Sequence, residues 1–152
     1  MNKVYSYVLV LLLFCVAQTQ SEAQVFFSED FEGTMNATTN IPTNWTETTA
    51  GASDGIYDVG DNLLANSAGY WPVPVHTQFA QTNDDACNCD KSDDKLILPL
   101  QDFTSYAGVN LQVDLYMDGQ YGSTGKVEVS TDNGTTWTEV YTIPLVNGLW
   151  QD

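Results

Sequence analysis

Eight consecutive residues, Ser-Thr-Asp-Asn-Gly-Thr-Thr-Trp at 130–137, constrain this chain more than any other feature. Asp132, Asn133 and Gly134 tolerate left-handed backbone angles, and the Ser130 and Asp132 side chains are short enough to bond nearby backbone N–H groups. Trp137 then lies over the turn. The stretch predicts a tight antiparallel hairpin between "KVEVS" at 126–130 and "WTEVYTI" at 137–143.

The same residues fill every fixed position of the Asp-box found in sialidases, Ser-x-Asp-x-Gly-x-Thr-Trp. That likeness concerns a turn and not a reaction. A sialidase grips the carboxylate of its substrate, a task suited to the planar guanidinium fork, and this chain contains no arginine. Propellers built from such hairpins also repeat the unit several times, whereas the box occurs here once. A structural hairpin is therefore expected, and sialidase activity is not.

Outside the hairpin the patterning is that of strands. "NLQVDLYMD" at 110–118 alternates Leu111, Val113, Leu115 and Met117 with Gln112, Asp114, Tyr116 and Asp118, the period of a sheet with one buried face. "KLILPL" at 95–100 is a short apolar run closed by Pro99. "QVFFSEDFE" at 24–32 and "HTQFAQT" at 76–82 add further short strands, and turn-forming clusters such as "AGASDG" and "YGSTGK" separate them. No segment after the N-terminal run keeps a helical period. The fold class expected is all-β, one domain, a sandwich or jelly roll.

Lys3 and the apolar run at 8–17, followed by Ser21-Glu22-Ala23, read as a signal peptide over residues 1–23, leaving a mature domain at 24–152. The apolar run is too short to span a bilayer comfortably. A lipid anchor at Cys15 is the competing reading, but Phe14 is bulky for the residue before a lipidated cysteine. Removing residues 1–23 leaves three lysines against nineteen acids, and the net charge stays at −16. Such a charge disfavours nucleic acid and anionic membranes, favours cations, and suits solubility outside the cell. The acids gather in "SEDFEG", "SDGIYDVGDN" and "TNDDACNCDKSDDK", segments rich in turn formers. Sequons at Asn36, Asn44 and Asn133 would accept glycans in a eukaryotic secretory pathway.

The order "FEG", "IPTNW", "YWPVPVHTQFAQTNDDACNCDKSDDKLILPL" and "VEVSTDNGTTWTEVYTI" resembles the cleaved-adhesin, or choice-of-anchor J, modules of secreted bacterial surface proteins, across about residues 26–150. These modules are similar in fold to MAM domains. The resemblance implies a jelly-roll β-sandwich, a non-catalytic adhesion or carbohydrate-binding role, bound calcium, and a glycan or extracellular protein as ligand. Membership of the accessory or N-terminal part of a secreted hydrolase is the alternative it allows. This chain has Asn44 before Trp45 where the family usually has glycine, and it stops at "NGLWQD" where relatives continue with further strands. A sandwich truncated at its C-terminal side is the resulting expectation.

Calcium takes six to eight oxygen ligands, so loops crowded with Asp and Asn have the right chemistry. Carried over from the family, the candidates are Glu32 of "FEG", Asp58 and Asp61 of "YDVGD", and Asp84 and Asp85 of "NDDACN". Solvated turn residues are the plainer explanation for the same carboxylates. After signal removal the cysteines are Cys87 and Cys89, for which a strained disulfide, a free pair and a zinc site with His76 all stay open. Trp45, Tyr57, Tyr70, Trp71, Tyr121 and Trp150 lie in or beside loops, and Tyr70-Trp71 is the pair chosen for ligand contact. No nucleophile, base and acid arrangement surrounds the single histidine, and no catalysis is expected.

Overall fold

The computed structural model describes residues 24–49, 57–66, 69, 73–89, 91–118, 122–145 and 150. Residues 1–23, expected to be a signal peptide, and the Tyr70-Trp71 pair lie outside these residues. Among the described residues the architecture is mostly β, with three two-stranded antiparallel sheets and two single-turn helices. The strands are β1 (Thr46–Thr48), β2 (Asp58–Gly60), β3 (Phe79–Gln81), β4 (Lys95–Ile97), β5 (Gly125–Val129) and β6 (Thr138–Ile143). The helices are α1 (Asn62–Ala65) and α2 (Asp84–Cys87). β1 pairs with β4, β2 with β3, and β5 with β6.

The β5–β6 hairpin forms where the sequence places it. Asn133 and Gly134 take the left-handed angles, with φ of 56° and 81°. Ser130 Oγ accepts from Gly134 N at 2.8 Å, and Asp132 Oδ1 accepts from Thr136 N at 2.8 Å. Between Val127 and Glu128 of β5 the pairing register slips, so that Val127 faces Tyr141 while Glu128 faces Glu139. Val140 is the extra residue of that bulge, and it joins Tyr141 in lining an apolar groove instead of alternating with it.

β3 and β4 also fall inside the runs expected to be strands, and β4 ends two residues before Pro99. Two other expectations are corrected. Residues 24–32 form no strand, and at the end of the run the carboxylates capture the backbone: Glu29 Oε1 accepts from Phe31 N at 2.8 Å and Asp30 Oδ1 from Glu32 N at 3.0 Å. Residues 110–118 form no strand, only a single bridge at Leu115, and Gln112 shares the groove with its apolar neighbours. Leu111, Val113 and Leu115 line the groove with Val127, Val140 and Tyr141, while Asp114 and Tyr116 face His76 and Trp150.

The packed centre is the β2–β3 sheet with α1 and the turn before β1. Ile41, Val59, Ala65 and Phe79 are its buried side chains, and Ile41 is the most enclosed at 1% exposure. Asn40 docks that turn onto β2: its carbonyl accepts from Val59 N at 3.0 Å, and its Nδ2 donates to the Val59 carbonyl at 3.0 Å. A side-chain amide thus completes a pairing that a third strand would otherwise make. The helices occupy segments read as acidic loops, and local capping explains both. Asp61 Oδ1 accepts from Leu63 N and Leu64 N at 2.9 and 3.2 Å to start α1. Asn83 Oδ1 accepts from Ala86 N at 3.2 Å to start α2, and its Nδ2 donates to the Ala65 carbonyl at 2.8 Å. One carboxamide therefore serves the end of α1 and the beginning of α2.

Candidate binding surface

The five carboxylates proposed for calcium are distributed over separate elements. Glu32 reaches across to the approach to β3, where Oε1 accepts from Gln78 N at 2.8 Å and Oε2 from Gln78 Nε2 at 3.4 Å. Asp58 lies on β2 and accepts from Asn40 Nδ2 at 3.5 Å. Asp61 is spent as the α1 cap. Asp84 and Asp85 occupy the first turn of α2, where the partial positive charge of the exposed N–H groups favours carboxylates. Among the described residues, no group of three or more His, Cys, Asp or Glu side chains is placed to hold a metal ion. The acidic loops have therefore found caps and tethers as their first use.

The Asp-box is closed on itself in the same way. Besides the backbone contacts of the turn, Thr136 Oγ1 donates to Asp132 Oδ2 at 2.6 Å, Ser130 Oγ donates to Asp132 Oδ1 at 2.8 Å, and Thr135 Oγ1 donates to the Asp132 carbonyl at 2.9 Å. Hydrogen bonds from Thr136 and Ser130 hold the Asp132 carboxyl down at about 2. Both of its oxygens are committed to the turn, so the geometry suits a structural anchor. Trp137 packs along it, with a ring carbon 3.6 Å from where a Gly134 β carbon would sit. Lys95, ion-paired to Glu128, lies 5.6 Å from the Trp137 ring centre and links β4 to the hairpin.

A second polar junction lies between the other two sheets. Glu47 on β1 accepts from Tyr57 N at 2.8 Å, and Thr82 Oγ1 donates to Asp94 Oδ2 at 3.4 Å. Burial, with the Asp94 charge second, pushes the Tyr57 phenol up. Cys89 is disulfide-bonded, so its sulfur is not a zinc ligand; the side chain of Cys87 lies outside the described residues. His76, the third group of the zinc reading, has Nε2 3.7 Å from Asp114.

Aromatic side chains divide into packed and presented sets. Trp45 is held by Phe27 and Phe31, at ring separations of 6.3 and 5.6 Å, and Trp150 by His76, Phe79 and Tyr116. Tyr121, like Tyr70 and Trp71, lies outside the described residues. The surface set is one that sequence reasoning missed. Phe26 stacks on Tyr106 at 5.2 Å and meets Phe103 edge-on at 5.2 Å, and the three rings are 39%, 41% and 41% exposed. A local turn creates the pair on the second segment. Asp102 Oδ1 accepts from Thr104 N and Thr104 Oγ1 at 2.9 and 2.7 Å, and Tyr106 N donates to the Phe103 carbonyl at 2.9 Å. The Asp-x-Thr spelling announces the turn, but nothing local announces Phe26 as the third ring.

No protein-family model, curated protein or solved structure matches the chain. Among the described residues no helix is long and apolar enough to cross a membrane.

Proposed function

We propose that this chain is a secreted, non-catalytic adhesion or carbohydrate-binding module of the jelly-roll type, acting outside the cell or at its surface. The observation that carries the binding role is the half-exposed aromatic set of Phe26, Phe103 and Tyr106. Aromatic faces pack against the apolar faces of sugar rings, and the neighbouring Asp102–Thr104 turn supplies polar groups at the same edge. The signal-like N-terminus and the −16 charge support export and oppose nucleic acid as a partner. A glycan or an extracellular protein is the ligand class. Calcium belongs to the same proposal, through Glu32, Asp58, Asp61, Asp84 and Asp85. These carboxylates already accept hydrogen bonds, Glu32 from Gln78, Asp58 from Asn40 and Asp61 from the first turn of α1.

Binding of the purified chain to a panel of immobilised neutral and acidic glycans tests the reading, with Tyr106→Ala as the matched variant. Retention on at least one glycan, reduced tenfold or more by the substitution, is expected. Equal retention of both proteins on every glycan would sink the aromatic site. Hydrolysis of a glycoside or peptide, abolished by one Asp or Glu substitution, would replace the whole assignment by an enzyme. Calcium is tested separately by melting the chain in chelator, calcium and magnesium. A rise with calcium alone supports the metal, and three coincident curves remove it without touching the glycan reading.

A further inference from the structure

The chain holds 4 lysines and 20 acids, and it has no arginine. Lys3 belongs to the segment 1–23. Lys95 is ion-paired to Glu128, and Lys126 Nζ lies 2.9 Å from Glu139 Oε2. Lys91 stands in sequence among Asp90, Asp93 and Asp94. A mature terminus at Gln24 would add one α-amino group, which Glu29 and Asp30 of the same segment outnumber. Cations are thus scarce and largely spent. We propose, resting on the glycan reading above, that the platform of Phe26, Phe103 and Tyr106 takes uncharged sugar rings and turns away glycans carrying carboxylate or sulfate, with Asp102 as the charge that enforces the choice at the site.

An acidic sugar is held by giving its anion a cation, and the planar guanidinium fork does this best. A neutral sugar asks for less: an aromatic face for its C–H groups and a few hydrogen-bonding groups at the rim. The platform supplies that second set. Tyr106 stacks on Phe26 on one side, meets no other ring among the described residues, and is 41% exposed. Asp102 immediately precedes Phe103, and its Oδ1 accepts from both the N–H and the hydroxyl of Thr104. Those bonds, the hydroxyl's first, hold the Asp102 carboxyl below its ordinary range, so it carries its charge at neutral pH. An ionised carboxylate only accepts, which suits it to a sugar hydroxyl and opposes it to a second anion. The net charge of −16 adds a repulsive field around the whole molecule. Hydroxyl donors are therefore welcome where carboxylates and sulfates are not.

Frontal affinity chromatography of the whole chain tests this with matched pairs: lactose and sialyllactose, galactan and sulfated galactan, methyl-esterified oligogalacturonate and its free acid. Chelator is present throughout, so that no calcium bridges an anion. Within a retained pair the neutral member is expected to bind on the order of tenfold better at about 20 mM salt. Raising the salt to about 500 mM shortens the screening length severalfold, so the anionic member should gain retention while the neutral one holds. Asp102→Asn keeps the oxygen that anchors the turn and loses the charge. Removing one charge about 6 Å from a ligand anion in water should raise absolute retention of the anionic member about threefold. Anionic members held as well as neutral ones through a contact that Tyr106→Ala abolishes, or unmoved by Asp102→Asn, overturn the selectivity and leave the glycan reading standing. Absence of any retention, or retention indifferent to Tyr106→Ala, removes the glycan reading and the selectivity with it. Should Tyr106→Ala fail to fold, Asp102→Asn decides: a rise in anionic retention supports the selectivity and an unchanged value overturns it.

Discussion

Gly60 ends β2 one residue before the Asp61 cap, so the chain passes directly from strand to helix and Leu64 of α1 folds back over the glycine. A β carbon added at Gly60 would lie 2.4 Å from Leu64 Cδ2, 3.3 Å from Cγ and 3.0 Å from Cβ. The first contact is removable, because Leu64 is 39% exposed and its outer carbons have room to swing. The last is not, since Cβ moves only with the α1 backbone. Backbone angles are no obstacle, as Gly60 is not among the left-handed glycines. Overpacking of this kind costs about 1–3 kcal/mol. Loss of glycine freedom in the unfolded chain returns about 0.4–1 kcal/mol. Gly60→Ala should therefore destabilise by about 1–2 kcal/mol net. Leu64→Ala, which removes half-exposed carbons, should cost about 1 kcal/mol alone. In the double variant the clash with Cδ2 and Cγ disappears, and the total should fall about 1 kcal/mol below the sum of the singles. Urea denaturation followed by tryptophan fluorescence measures all four proteins under identical conditions. An undisturbed Gly60→Ala protein, or strictly additive singles, would refute the close strand-to-helix packing inferred here.

Three further perturbations address other parts of the chain. Asp132 is held down at about 2 against an ordinary 3.8, so its share of hairpin stability is complete above about pH 4 and is lost as pH falls through about 2. Exchange of the Thr136 amide across that window should accelerate in wild type, whereas Asp132→Asn should already exchange fast at pH 5; identical profiles would remove the anchor role. Ile41→Ala empties the most enclosed site and should cost about 2–4 kcal/mol, with Ile41→Val about 1, by urea denaturation. Asn83→Ala releases both the α2 cap and the Ala65 carbonyl and should cost about 1–2 kcal/mol. Asn83→Asp keeps the capping oxygen and should lie between wild type and alanine, and an aspartate as damaging as alanine would show that the donor to Ala65 dominates.

What was readable along the chain is what neighbours within a few residues decide. Ser130, Asp132, Gly134 and Thr136 satisfy one another across seven residues, so the hairpin between β5 and β6 follows from their spelling alone. β3 and β4 follow from short apolar runs with turn formers on either side. Capping is local as well: Asp61 and Asn83 sit in segments that read as polar loops, yet each stands just before a turn of helix whose N–H groups need an acceptor.

Tertiary structure decided the rest, because the partners are far apart in sequence. Alternation at 110–118 suggests two faces, but the fold puts Gln112 in the groove beside Val127, Val140 and Tyr141 with its apolar neighbours, and brings Asp114 and Tyr116 to His76 and Trp150. The bulge at Val140 reverses one side of β6, and it arises from a register slip between strands. Glu32 stands out in sequence by residue type alone, and only the fold brings it opposite Gln78 N. Phe26 reaches Phe103 and Tyr106 across more of the chain than any periodicity covers. A side chain's type limits the contacts it can make, and only the path of the backbone determines which partner arrives within reach.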